Sequence, residues 1–213
     1  MKKSVYSLVL MDDVVEQVDR LAYQMHTNRS NMINQILAEY CSMLTPEKRM
    51  RSTLEQLMDL LGQGGFQPLV QPSATMLTVR SALNFKYNPS VRYRVELFRS
   101  ERPEFGQLQV QLRTQNRELL YYLEQFEHIW AALEQKYLKA PRYSIENGRY
   151  LRNLRFNQTF EGQPTLMGEA IGRYVNIFDR ALKIYFEMIE YPRQALPKIE
   201  QEMRFYAADP LIV

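Results

Sequence analysis

Cysteine and histidine are almost missing from this chain. Its 213 residues include one cysteine, Cys41, and two histidines, His26 and His128. One thiol cannot close an intrachain disulfide, so a disulfide-stapled fold is excluded, and a reducing, cytoplasmic setting is the expectation. A His/Cys metal cluster needs more ligands than these. There is no apolar run of the roughly 18 residues that a membrane-spanning helix requires, so no membrane span is expected. Met1-Lys2-Lys3 is basic, but the stretch Ser4–Met11 is short and runs into Asp12-Asp13, so no signal peptide is read. Gly62-Gln63-Gly64-Gly65 lacks the lysine and the preceding strand of a phosphate loop. No serine nucleophile elbow is present. Asp12-Asp13 is explained as a helix start. No catalytic residue, metal or cofactor is therefore assigned, and an enzyme is not expected.

What remains is an ordinary globular composition with an unusual cation. The chain is 46% apolar, enough for a sizeable core, and its length suits one or two domains. The net charge of +3 demands no polyanionic partner by itself. The positive charge, however, is carried by 19 arginines against 8 lysines, and arginine's planar fork suits carboxylates, phosphates and base edges. It is also unevenly spread. Met76 to Arg117 holds eight basic and three acidic residues, +5, whereas Met1 to Ser52 holds seven and six, +1.

Lys3–Leu10 reads as a strand, rich in β-favouring and apolar side chains such as Val5, Tyr6, Val9 and Leu10. Asp12-Asp13 then opens a helix to Met25, with carboxylates at the positive end of its dipole. Val14, Val18, Leu21 and Met25 give that helix one apolar face. His26-Thr27 interrupts the pattern, and Asn28 is placed to cap a second helix whose stripe is Ile33, Ile36, Leu37, Tyr40 and Leu44. Cys41 beside this stripe is expected to be a small buried hydrophobe. The strand has no hairpin partner, because nothing precedes it and a helix follows at once. It must pair with a distant sheet or with another copy of the chain.

Strand, helix, short turn and helix, from Met1 to about residue 45, resembles the MetJ/Arc/CopG type of ribbon-helix-helix DNA-binding proteins. The residues that carry the likeness are Lys3–Leu10, Asp12–Met25 and Thr27-Asn28-Arg29-Ser30 leading into Met32-Ile33. The resemblance implies a homodimer, or a higher even oligomer, whose paired strands enter the major groove of double-stranded DNA. It implies that Asn28, Arg29 and Ser30 hold a phosphate at the start of the second helix. With Tyr6, Leu8 and Leu10 turned inward, Lys3, Val5, Ser7 and Val9 would face the bases. Val5 and Val9 cannot hydrogen-bond a base edge, a departure from the polar side chains usual there, although they suit a thymine methyl.

Thr45 to Leu61 reads as a third helix, capped by Thr45 with Pro46 in its first turn. The glycines and prolines from Gly62 to Ser73 read as a linker, which divides the chain into 1–61, 62–73 and 74–213. Beyond it, Leu77–Phe85, Val91–Phe98 and Gln107–Arg113 alternate as strands of an antiparallel meander. The face opposite their apolar side carries Arg80, Arg92, Arg94 and Arg113, a candidate face for an anion or a partner. A helix is expected from Gln115 to Leu138, and Arg142–Phe156 reads as a hairpin about Asn147-Gly148. Arg142, Arg149, Arg152 and Arg155 there add basic charge. A broad apolar helix from Pro164 to Glu190 follows, with Gly168 and Gly172 allowing close backbone approach, and a last helix spans 197–207. The fold class expected is α+β: a ribbon-helix-helix segment followed by an antiparallel sheet packed with long helices. The leading functional expectation is a dimeric DNA-binding regulator or plasmid-maintenance factor. Its second domain would hold a small-molecule or protein effector, or serve further oligomerisation. The alternative is a dimeric interaction protein that does not bind DNA, whose second domain takes a protein or an anionic ligand.

Overall fold

The computed structural model describes residues 4–41, 43, 45–69, 73–86, 88–99, 104–138, 142–146, 148–155, 163–210 and 212–213. The chain is mixed α+β and separates into two compact units, Met1–Lys48 and Arg49–Val213.

The first unit contains α1 (Asp12–Gln24) and α2 (Arg29–Tyr40). Its buried apolar core is Val18 and Ala22 from α1 and Met32 from α2, with Ile33 packed beside them. The expected strand is not formed. Residues 4–11 are exposed and belong to neither helix nor strand, and Lys3 lies outside the described residues. The physical reason lies in the strand itself: its backbone groups need a partner, and a single chain supplies none here. Tyr6, Leu8 and Leu10, expected to point inward, are likewise exposed.

The division of the chain falls after Lys48, earlier than the glycine-rich stretch suggests. Helix α3 (Pro46–Gln63) explains why. Its stripe Met50, Leu54, Leu57 and Leu61 belongs to the same core as the sheet, so the helix is bound to the second unit by its own apolar face. Thr45 caps it, its hydroxyl accepting from the Lys48 N–H at 3.1 Å.

The sheet is six-stranded with order β1-β2-β3-β4-β6-β5. Its strands are β1 (Gln67–Pro68), β2 (Met76–Ala82), β3 (Ser90–Leu97), β4 (Gly106–Leu112), β5 (Tyr143–Glu146) and β6 (Arg149–Leu154). Every neighbouring pair is antiparallel. The three meander strands and the hairpin thus match the alternation read from the sequence. Gly148 takes φ +70° in the hairpin turn, where a side chain would be strained. Helix α4 (Arg117–Tyr137) connects β4 to the hairpin, and Asn116 caps it by accepting from Glu118 N–H at 2.9 Å. Helices α5 (Pro164–Glu187) and α6 (Pro192–Ala207) complete the unit. Pro197 lies inside α6, one turn later than the helix start.

One face of the sheet is apolar: Leu77, Val79, Val91, Tyr93, Val95, Leu108, Val110 and Tyr150 are buried. Against it lies α5, which is apolar around most of its circumference because it packs on several sides. Phe178 sits among the rings of Phe126, Trp130, Tyr150, Tyr93 and Tyr174, with centroids 5.3, 5.4, 5.3, 6.2 and 6.3 Å away. Gly168 allows α3 to approach: a Cβ there would stand 2.8 Å from the Thr53 carbonyl oxygen and 2.9 Å from Gln56 Cβ.

Polar groups inside this core are mostly paired. Tyr93 Oη and Ser81 Oγ donate to Asp179 at 2.8 and 3.1 Å, and Lys183 Nζ reaches the same carboxylate at 2.7 Å. Arg152 is buried, and its Nε donates to Glu134 at 2.6 Å while Tyr150 Oη also donates to Glu134. Arg152, counted in the sequence only as basic charge, is thus a buried ion-pair partner. Among the described residues Arg152 Nη1 lacks a partner, and so does Glu127, which is fully buried with neither carboxyl oxygen hydrogen-bonded. Burial, with Glu124 adding repulsion, pushes its pKa from 4.5 up to about 8.

An acid whose pKa is raised in the folded state loses stability as it ionises. The contribution of Glu127 to stability should be most favourable below about pH 4.5 and fall as pH rises to about 8. Glu127→Gln should flatten that decline and raise the Tm above pH 8 while changing it little near pH 5; parallel thermal melts across pH measure this. Gly168→Ala should destabilise by about 1–3 kcal/mol, because the backbone of α3 must move away. Denaturant unfolding checks the value, and an unchanged midpoint would mean that the helices separate freely.

Candidate nucleic-acid interface

Two groups of residues could face a polyanion, one in each unit. In the first, the turn between α1 and α2 is built by a Schellman-type stop. His26 adopts φ +50°, the Thr27 N–H reaches the Ala22 carbonyl at 2.9 Å, and the His26 N–H reaches Tyr23 at 3.1 Å. This ends α1 and sets Asn28 in an extended conformation, where its side chain accepts from the Asn31 N–H at 2.9 Å. Asn28 is thus the cap expected, and the N–H groups of Arg29 and Ser30 belong to the open first turn. Arg29 is engaged elsewhere than expected. Its Nε and Nη2 donate to the two oxygens of Asp19 at 2.7 and 2.5 Å. This fork lowers the pKa of Asp19 and raises that of Arg29, the hydrogen bonds being the main cause. The pair is solvent-exposed, so it is weak and exchangeable.

The ribbon candidates Val5, Ser7 and Val9 are all exposed, Val5 at 99% and Val9 at 103%. They share this with Tyr6, Leu8, Leu10 and Met11 before α1, Val14, Leu21 and Met25 on the α1 face, and Ile36, Leu37 and Tyr40 on α2. Cys41 is also exposed, contrary to expectation, because it follows the last turn of a helix whose apolar stripe is itself uncovered.

In the second unit the four candidate arginines fall together. Arg80 stands directly opposite Arg92 across β2 and β3, and Arg94 opposite Thr78. The row continues from Arg92 to Gln111 on β4 and from Gln111 to Arg149 on β6. Arg113 lies one residue past β4, its N–H to the Ser90 carbonyl at 3.4 Å, and the alternation leaves it on the same side. These side chains occupy the face opposite the apolar one. Arg80 donates to Gln67 at 3.1 and 2.9 Å, and Arg94 to Glu96 at 3.3 Å. Arg92 Nε is buried and has no acceptor among the described residues. Arg149 was counted in the sequence only as basic charge. Its place in the row depends on pairing between β4 and β6, on either side of α4, which no local pattern announces.

Comparison with protein-family models, with curated proteins and with solved structures finds no match to this chain. The ribbon-helix-helix likeness therefore rests on its residues alone. Among the described residues, no helix is long and apolar enough to cross a membrane, and no group of three or more His, Cys, Asp or Glu is arranged to hold a metal ion.

Asn28→Ala should cost about 1 kcal/mol of helix stability by leaving the Asn31 N–H unpaired. Hydrogen exchange should quicken in α2 and stay unchanged in the sheet. Uniform protection across both proteins would remove the cap from the account.

Proposed function

We propose that this protein is a dimeric DNA-binding protein of regulatory or plasmid-maintenance type, in which residues 1–48 of two copies join through an antiparallel β-ribbon. The observation that carries this reading is the imbalance of the first unit. Val18, Ala22 and Met32 are buried, while large apolar side chains run uncovered from Val5 through Met25 and from Ile36 through Met43. A unit of 48 residues with so small a buried core is marginal by itself, close to the size at which a disulfide, a metal or another chain is usually required. A single cysteine closes no disulfide within the chain. A second copy supplies both missing parts at once: a strand to pair with residues 4–10 and an apolar surface for Leu21, Ile36 and Leu37.

In such a dimer the outward side chains Lys3, Val5, Ser7 and Val9 face the major groove. The open turn at Asn28, Arg29 and Ser30 faces the flanking phosphate. A phosphate there gains from the helix dipole and from the free N–H groups, and it competes with Asp19 for Arg29. The apolar Val5 and Val9 favour thymine methyl contact over hydrogen-bonded readout, so sequence discrimination by the ribbon is modest. The same two valines favour the second reading, a dimer that binds no DNA.

The test is mass measurement and fluorescence anisotropy on random duplex DNA through a salt series. The expected results are a mass of twice 25.3 kDa, or an even multiple of it, and affinity that falls steeply with salt. Leu37→Glu should yield monomers with weakened DNA affinity and a shallower salt dependence. A stable dimer without binding at low salt would overturn the DNA assignment and leave the interaction protein.

A further inference from the structure

We infer that the open face of the C-terminal sheet is a second nucleic-acid surface, which holds the phosphate backbone of a double helix along the row Arg80, Arg92, Gln111 and Arg149. It lies in the second unit and does not depend on the ribbon proposed for the first.

The row is costly for the fold alone. Arg80 and Arg92 are paired residues on adjacent strands, and like charges directly opposite one another destabilise a sheet. Among the described residues no ion pair relieves them: Arg80 is held by the neutral amide of Gln67, and Arg92 Nε lacks an acceptor. A phosphate lying across the row would offset the charge of both guanidinium groups.

The chemistry around the row selects the ligand. The next row outward holds Thr78, Arg94, Gln109 and Ser144, with Leu151 between them. Arginine, threonine, serine and glutamine are the side chains that bond to phosphate and sugar oxygens. No aromatic side chain stands on either row, so neither base stacking on a single strand nor an aromatic protein hot spot has an anchor. Adjacent strands lie about 4.8 Å apart, so the arginines from β2 to β6 are spread along a line of roughly 14 Å and do not converge on one small anion. An extended polyanion with its charges on the outside fits that spacing. Two acidic residues lie beside the arginines: Glu96 is bonded by Arg94, and Glu146 on the outer strand β5 ends the row directly opposite Arg149.

The test uses the full-length protein. Duplex affinity is measured against salt for wild type, for Arg80→Gln/Arg92→Gln/Arg149→Gln, and for Val5→Asp/Val9→Asp at the ribbon. The sheet variant should flatten the salt slope by about one unit per arginine replaced, with a Tm no lower than wild type. Arg92→Lys should restore part of the slope that Arg92→Gln loses, which keeps the test valid should the triple variant fail to fold. An unchanged slope in the sheet variants overturns the inference and leaves the ribbon reading intact. Loss in the sheet variant with none in the ribbon variant supports the inference and defeats the ribbon. Polyglutamate is measured in parallel. Loss of polyglutamate binding with duplex affinity unchanged would overturn the inference in favour of an acidic protein.

Discussion

The packing of α5 on the sheet is the constraint on which the second unit rests. Phe178 touches rings from α4, β3, β6 and α5 itself, so one side chain ties together elements more than eighty residues apart. Edge-to-face geometry dominates these contacts, as the ring quadrupole favours. Asp179, the next residue, adds direction: by accepting from Ser81 and Tyr93 it fixes how α5 sits along β2 and β3. Neighbouring residues on one helix thus supply the bulk and the orientation of the core. With the helices gathered on one side, the opposite face of the sheet is left to polar side chains, and its arginines can serve a ligand.

Arg152 and Arg149 show how finely that division is drawn. They are three residues apart on β6 and point to opposite faces of the sheet. Arg152 is buried with its charge matched by Glu134 and its guanidinium 4.2 Å from the centre of the Tyr174 ring. Arg149 is exposed. Equal residues in one strand therefore play unlike parts, one inside the core and one on a basic surface. Breaking a buried pair by removing one partner leaves an uncompensated charge, whereas an exposed arginine can be changed with little effect on the fold.

Much of the second unit was legible in the sequence because its signals are local. The alternation of Val91, Tyr93 and Val95, the Asn-Gly turn and the broad stripe on α5 each speak for themselves. The boundary after Lys48 was not legible, since Gly62 to Ser73 looks like a linker while α3 belongs to the core by contacts with α5 far along the chain. The candidate site divided in the same way. Asn28 was readable as a cap three residues before the N–H it accepts from. The Asp19 fork on Arg29 joins two helices, and the alignment of Arg149 with Arg92 runs through β4, so both needed tertiary structure. The strand of residues 3–10 was read from composition, and composition cannot supply the second strand that a ladder requires.

The small core of Val18, Ala22 and Met32 gives the two halves of the chain different laws of mass action. Residues 49–213 bury a large apolar core within one molecule, and the stability which that core contributes does not depend on concentration. Residues 1–48 expose apolar surface, and whatever covers it contributes stability that grows with the logarithm of its concentration. If the cover is a second copy, the number of competent N-terminal heads rises faster than the number of chains. The cellular abundance of the protein then acts as an input to its function, with no effector required.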